Sequence, residues 1–95
     1  MEFDPVLHQP VRTKIIALLL REGECDYTFI KETSNITDGH MSTHMRTLVE
    51  SKYVEAKKEF VNNKPKTTYR LSHLGRKKFK AYVDQLSEIV AWSKK

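Results

Sequence analysis

Between Glu50 and Val54 the apolar residues change their period. Up to Ser51 they fall three and four residues apart, as on one face of a helix. In YVEAKKEFV, residues 53–61, Val54, Ala56 and Phe60 stand among polar residues, as in a strand. One regular element cannot carry both patterns, so the chain reads as mainly α with a small β-hairpin, an α+β arrangement. NNKPK, residues 62–66, is the expected turn. Asparagine tolerates left-handed backbone, and Lys64-Pro65 cannot continue a central strand. TTYRL, residues 67–71, is β-branched and aromatic and is the expected return strand.

The segments before and after the hairpin read as helices. Asp4-Pro5 and Gln9-Pro10 each resemble a helix start, because proline suits the first turn. Residues 11–21 are apolar on more than one stripe, which predicts burial on two sides, and Gly23 ends them. Glu24 to Tyr27 is short and extended or a tight connection. Thr28 is the expected cap of a brief helix over 29–34, with Phe29 and Ile30 inward. Asn35-Ile36 makes a turn. Thr37 is the expected cap of the next helix, its hydroxyl accepting a free backbone N–H, and Asp38 suits the helix dipole. Ser72 caps a last, long helix over about 73–93.

With 95 residues the chain fits one domain, 1–95, with a modest core. The longest apolar run, IIALLL, is far too short for a membrane span. MEFDPVL lacks a signal-peptide core. The one cysteine, Cys25, cannot form an internal disulfide, so a reducing cytoplasm is expected. Charge is segregated. Residues 52–80 hold ten Lys/Arg against Glu55 and Glu59, a net +8 that leaves −3 for the rest. Such a distribution favours a polyanionic partner.

A short helix, a tight turn and a capped helix over about 28–51 form a helix-turn-helix, and the hairpin over about 53–71 adds a wing. Three stretches carry a wider likeness: HQPVRTKIIALLL, TDGHMSTHMRTLVESKYVEAKK and KPKTTYRLSHLGRKKF. The last holds the Y-x-L-[ST]-x-x-G ending of a wing and the helix after it. Residues 8–75 resemble the winged helix-turn-helix transcriptional regulators of the MarR/ArsR-like group, close to its small one-domain members. The resemblance implies duplex DNA as partner.

At 100° per residue, Met41, Met45 and Leu48 share one face of the helix 37–51, with Val49 at its edge. Gly39, Thr43, Arg46 and Glu50 lie opposite. His40 and Thr47 flank them on one side and Ser42 on the other. The expected DNA-reading set on this recognition helix is Thr37, Gly39, His40, Ser42, Thr43, Arg46 and Thr47, with Arg46 suited to guanine. On the wing, Asn62, Asn63, Lys64 and Lys66 are expected at phosphates or along the minor groove. Lys57, Lys58, Arg76, Lys77 and Lys78 add to the field.

Phe79, Tyr82, Val83, Leu86, Ile89 and Val90 repeat at coiled-coil-like spacing. The resembling regulators dimerise through terminal helices. The expectation is a two-fold homodimer through this helix, helped by Phe3, Val6, Leu7 and residues 11–21, bound to a palindromic operator as a repressor.

Other readings are weaker. His40 and His44 have metal-pair spacing, but on the face meant for DNA. ArsR-type sensors carry two cysteines where this chain has Cys25 alone. No metal or cofactor is therefore expected. Cys25 as an oxidation sensor needs a lowered pKa. A protein–protein interaction module is the remaining alternative. Enzyme activity has no support: Gly23, Gly39 and Gly75 are scattered, and no nucleophile–base arrangement appears. RNA binding lacks stacking aromatics on the proposed face.

Overall fold

The computed structural model describes residues 2–94. The Asp38 side chain lies outside the described atoms, and with it the expected pairing of that carboxylate with the helix dipole. The elements are α1 (Pro10–Glu22), β1 (Glu24–Asp26), α2 (Tyr27–Ser34), α3 (Asp38–Glu50), β2 (Val54–Val61), β3 (Lys64–Leu71) and α4 (His73–Ser93). The strands form one antiparallel sheet in the order β1-β3-β2. No described helix is long and apolar enough to cross a membrane.

Local chemistry sets the boundaries. Pro10 opens α1 and the Gln9 side chain accepts from the Arg12 N–H at 2.9 Å. Gly23, with φ +89°, closes it. Asp4-Pro5, by contrast, starts a turn and no helix. The Asp4 carboxylate folds back onto the N–H of Val6 at 2.9 Å, which competes with helical pairing. The second helix begins earlier than expected. Asp26, not Thr28, is its cap, accepting from the Phe29 N–H at 2.7 Å. The cap lies two residues earlier than expected, and Phe29 faces outward, 41% exposed, while Ile30 is fully buried. Asn35 ends α2 in the left-handed region. Thr37 does hold the extended backbone of a cap, but its hydroxyl makes no capping bond. It pairs with His40 Nδ1 at 2.9 Å instead.

The wing also departs from expectation. Its turn is Asn62-Asn63 alone, with φ values of 54° and 64°. Two successive left-handed residues give the mirror-image turn whose twist matches the strands. Lys64, Pro65 and Lys66 therefore belong to β3. Proline is tolerated there because Pro65 faces Phe60, a pair that exchanges no ladder bonds in a two-residue hairpin, and β1 does not reach that far. Of Val54, Ala56 and Phe60 in β2, Val54 is buried, but Ala56 and Phe60 are exposed.

Ile15, Ile16 and Leu19 from α1, Ile30 from α2, and Met41 and Leu48 from α3 share one core and are fully buried. Each such side chain contributes roughly 1.5–3 kcal/mol. Ser72 caps α4, accepting from the Gly75 N–H at 2.9 Å. Gly75 lies against the wing base: a Cβ there would stand 2.1 Å from the Tyr53 carbonyl oxygen. The Tyr53 hydroxyl donates to the Asp4 carboxylate at 2.5 Å. Burial and that bond push its pKa up to about 12. The wing base is thus tied to the N-terminal turn and to α4.

Along α4 the environment changes. Phe79 and Tyr82 are buried within the chain's own fold. Tyr82 meets His8 Nδ1 at 3.0 Å, and Phe3 stacks on His8 at 4.4 Å. Further on, Val83, Ile89, Val90 and Trp92 are 40%, 43%, 51% and 75% exposed, with Leu86 half-buried. The molecule is elongated, 57 × 26 × 21 Å.

Candidate nucleic-acid interface

The spacing of the two methionines orients α3. Met41 and Met45, with Leu48, fill the core side. Gly39, Ser42, Thr43, Arg46 and Glu50 are exposed on the other, and Val49 sits at the margin. The exposed face combines small residues, hydroxyls and one guanidinium. Arg46 makes no ion pair among the described residues.

The flanking residues are less free than their sequence suggests. The half-buried Thr47 donates its hydroxyl to the Thr43 carbonyl at 3.1 Å. The proton is used, so only lone pairs remain for a base. Ser42 Oγ lies 3.2 Å from the Tyr27 hydroxyl. His40 and His44 have separate partners. His40 holds Thr37 at the start of α3. His44 is half-buried and its Nδ1 accepts from Arg12 Nη1 at 3.1 Å. A guanidinium only donates, so this nitrogen carries no proton and the ring is neutral. Burial, then the charge of Arg12, then His40 hold the His44 pKa below its ordinary value. Arg12 Nε also donates to the Val6 carbonyl at 2.6 Å, so the same side chain fixes the N-terminal turn against α3.

Parity along the hairpin sorts the wing residues. Val54, Ala56, Lys58 and Phe60, with Pro65, Thr67, Tyr69 and Leu71 opposite, share the face toward α3. Lys64 and Lys66 lie on the other face with Glu59 and Val61. Lys66 lines a cleft with Glu22, Glu24 and Asp26, whose carboxylates weaken its field. Between α3 and the hairpin runs a groove of about 410 Å³, lined by Tyr27, Met45, Arg46, Val49, Lys58 and Tyr69 among others. Burial and the neighbouring Tyr27 raise the Tyr69 pKa, so the phenol stays a neutral donor. Tyr27 and Tyr69 escaped sequence reading, because only the tertiary fold shows that they flank the recognition helix. Cys25 is buried, and desolvation followed by Glu22 and Asp26 raises its pKa, contrary to what a reactive thiol needs.

A capped helix bare on one side, beside a lysine-bearing hairpin, is an arrangement with known relatives. The sequence profile of the winged helix DNA-binding domain family matches residues 11–90. The chain belongs to that family. An uncharacterized protein of Methanocaldococcus jannaschii, MJ0432, is 33% identical over 84 residues, covering 88% of this chain and 91% of that one. The structure of a transcriptional regulator homologue from Pyrococcus horikoshii OT3 superposes with a TM-score of 0.83 at 23% identity, over 90% of this chain and 85% of the other. The transcriptional repressor BigR from Xylella fastidiosa gives 0.66 at 24% identity, over 87% and 79%. These structures share the fold of this chain. By its family, this winged helix is a DNA-binding domain.

Proposed function

We propose that the protein is a homodimeric transcriptional repressor acting on a palindromic operator in the cytoplasm. The whole chain, 1–95, would serve as a single unit of helix-turn-helix, wing and long terminal helix. The observation that carries the reading is the bare face of α3: an Arg46 without an ion pair among the described residues, between small and hydroxyl side chains and beside the wing. Such a face enters a major groove, with Arg46 paired to a guanine edge and Thr43 against a base or its methyl. Gly39 lets the backbone approach. Lys58 and Lys64, on opposite faces of the hairpin, suit the two phosphate walls of the adjoining minor groove.

The dimer rests on the distal part of α4. Val83, Leu86 and Val90 line a shallow apolar groove of about 450 Å³, and Ile89 adds to the exposed surface. Phe79 and Tyr82 support the seam from inside the protomer. A second copy of the same helix, related by a two-fold axis, covers this surface and sets two α3 helices about one DNA turn apart. Repression is the economical role: a small dimer on a promoter obstructs polymerase.

Titrating the protein into labelled promoter duplexes at increasing salt tests the reading. Affinity is expected to fall linearly on a log–log scale with a slope of several units. Absence of binding at low salt would reject it.

A further inference from the structure

Phe60 lies outside the buried core. Its side chain is 79% exposed, more than any other large apolar residue described. It sits on β2, an edge strand of the sheet, one residue before the strand ends. A bare phenyl on a strand edge invites unwanted pairing, and protein edges usually avoid it. Its neighbours narrow the explanation. Pro65 stands directly opposite and stiffens the rung. Lys58 precedes it on the same face, one rung nearer the groove beside α3. Lys64 lies across the hairpin at the turn. Lys58 and Lys64 make no ion pair among the described residues. An apolar ring with one unpaired lysine on its own face and another across the hairpin suits a partner with a polyanionic rim and an apolar interior. The minor groove of duplex DNA has that construction, with phosphate walls around sugar faces and base edges.

We propose that Phe60 is a minor-groove wedge: with α3 in the major groove, the wing places its ring against a base step and partly unstacks it. The lysines hold the two phosphate walls while the ring opens the step, and pyrimidine–purine steps yield most easily. The wing then contributes sequence preference through deformability, beyond the charge its lysines supply. This rests on the DNA-binding reading above, and the experiment separates the two.

The probe is a duplex selected from a random-sequence library by the wild-type protein, with 2-aminopurine placed at successive positions. Wild type, Phe60→Ala, Phe60→Leu and Lys64→Ala are compared. Wild type should raise 2-aminopurine fluorescence at one step per half-site. Phe60→Ala should abolish that rise and weaken binding about tenfold. Its salt slope should stay unchanged, since no charge is removed. Phe60→Leu should keep part of both effects, and Lys64→Ala should lower the slope. Unchanged affinity and fluorescence in Phe60→Ala overturns the wedge while leaving DNA binding intact. A changed sedimentation coefficient in Phe60→Ala makes the ring a protein contact and also overturns it. Failure of wild type to select any duplex removes the DNA reading and the wedge together.

Discussion

Helices α3 and α4 are each buried along one face and bare along another, yet the bare faces have opposite chemistry. On α3 the exposed residues are Gly39, Ser42, Thr43, Arg46 and Glu50. On the far part of α4 they include Val83, Ile89, Val90 and Trp92. Water tolerates the first face and penalises the second. A hydroxyl and guanidinium surface gains specificity only from a partner with directional hydrogen-bonding groups, such as base edges. An apolar stripe gains only by being covered. On the proposed reading the two helices take two different partners, duplex DNA for α3 and a second copy of the chain for α4. Perturbing the α3 face should leave the function of the α4 face intact.

The place where the regions meet should be most sensitive. Gly75 starts α4 against the wing base, and Gly75→Ala would force its Cβ into the Tyr53 carbonyl oxygen. Backbone cannot swing aside as a side chain can, so a loss of about 3 kcal/mol is expected in a denaturant titration. Stability within 0.5 kcal/mol of wild type, a range in which surface substitutions typically fall, would mean that α4 and the wing are not locked together. Next in size is the α4 face. Ile89→Asp with Val90→Asp should give monomers in sedimentation and weaken operator binding by about a hundredfold, because the second half-site contact is no longer linked to the first. Arg46→Ala should weaken operator binding by about 1–3 kcal/mol while the dimer stays intact. A monomeric Arg46→Ala would break the separation between the two faces.

The smallest effect concerns His44. Folding holds its pKa below the ordinary 6.5 of the unfolded chain. As pH falls through that window the unfolded state takes up protons that the folded state refuses. The His44 contribution is therefore full above about pH 6.5 and is lost below it. His44→Gln keeps an acceptor for Arg12 without titrating. Its denaturation midpoint should fall less than that of wild type between about pH 7 and pH 5. Identical pH profiles would remove His44 from this role.

What the sequence disclosed and what it hid have a common cause. The faces of α3 follow from the spacing of Met41, Met45 and Leu48, because burial repeats with the helix itself. The Ser72 cap and the change of period before Val54 were legible for the same reason: both are local. The misreadings were competitions between near neighbours. Asp26 and Thr28 can each cap α2, and the backbone chose the carboxylate. Thr37 has a capping geometry, but His40 claims its hydroxyl. NNKPK holds five turn-compatible residues, and only pairing across the hairpin shows that two suffice. The wing residues on the side of α3, Lys58 and Phe60, needed the strand register. Tyr27 and Tyr69 needed the tertiary fold.

The central claim is that the bare face of α3 reads base edges, and sequence selection tests it most directly. Random duplexes selected by wild type should converge on a two-fold symmetric sequence with one guanine per half-site that Arg46 specifies. Selection by Arg46→Ala should return the same sequence with the preference at that one position lost. An unchanged preference, or selection with no symmetric sequence, would contradict the account.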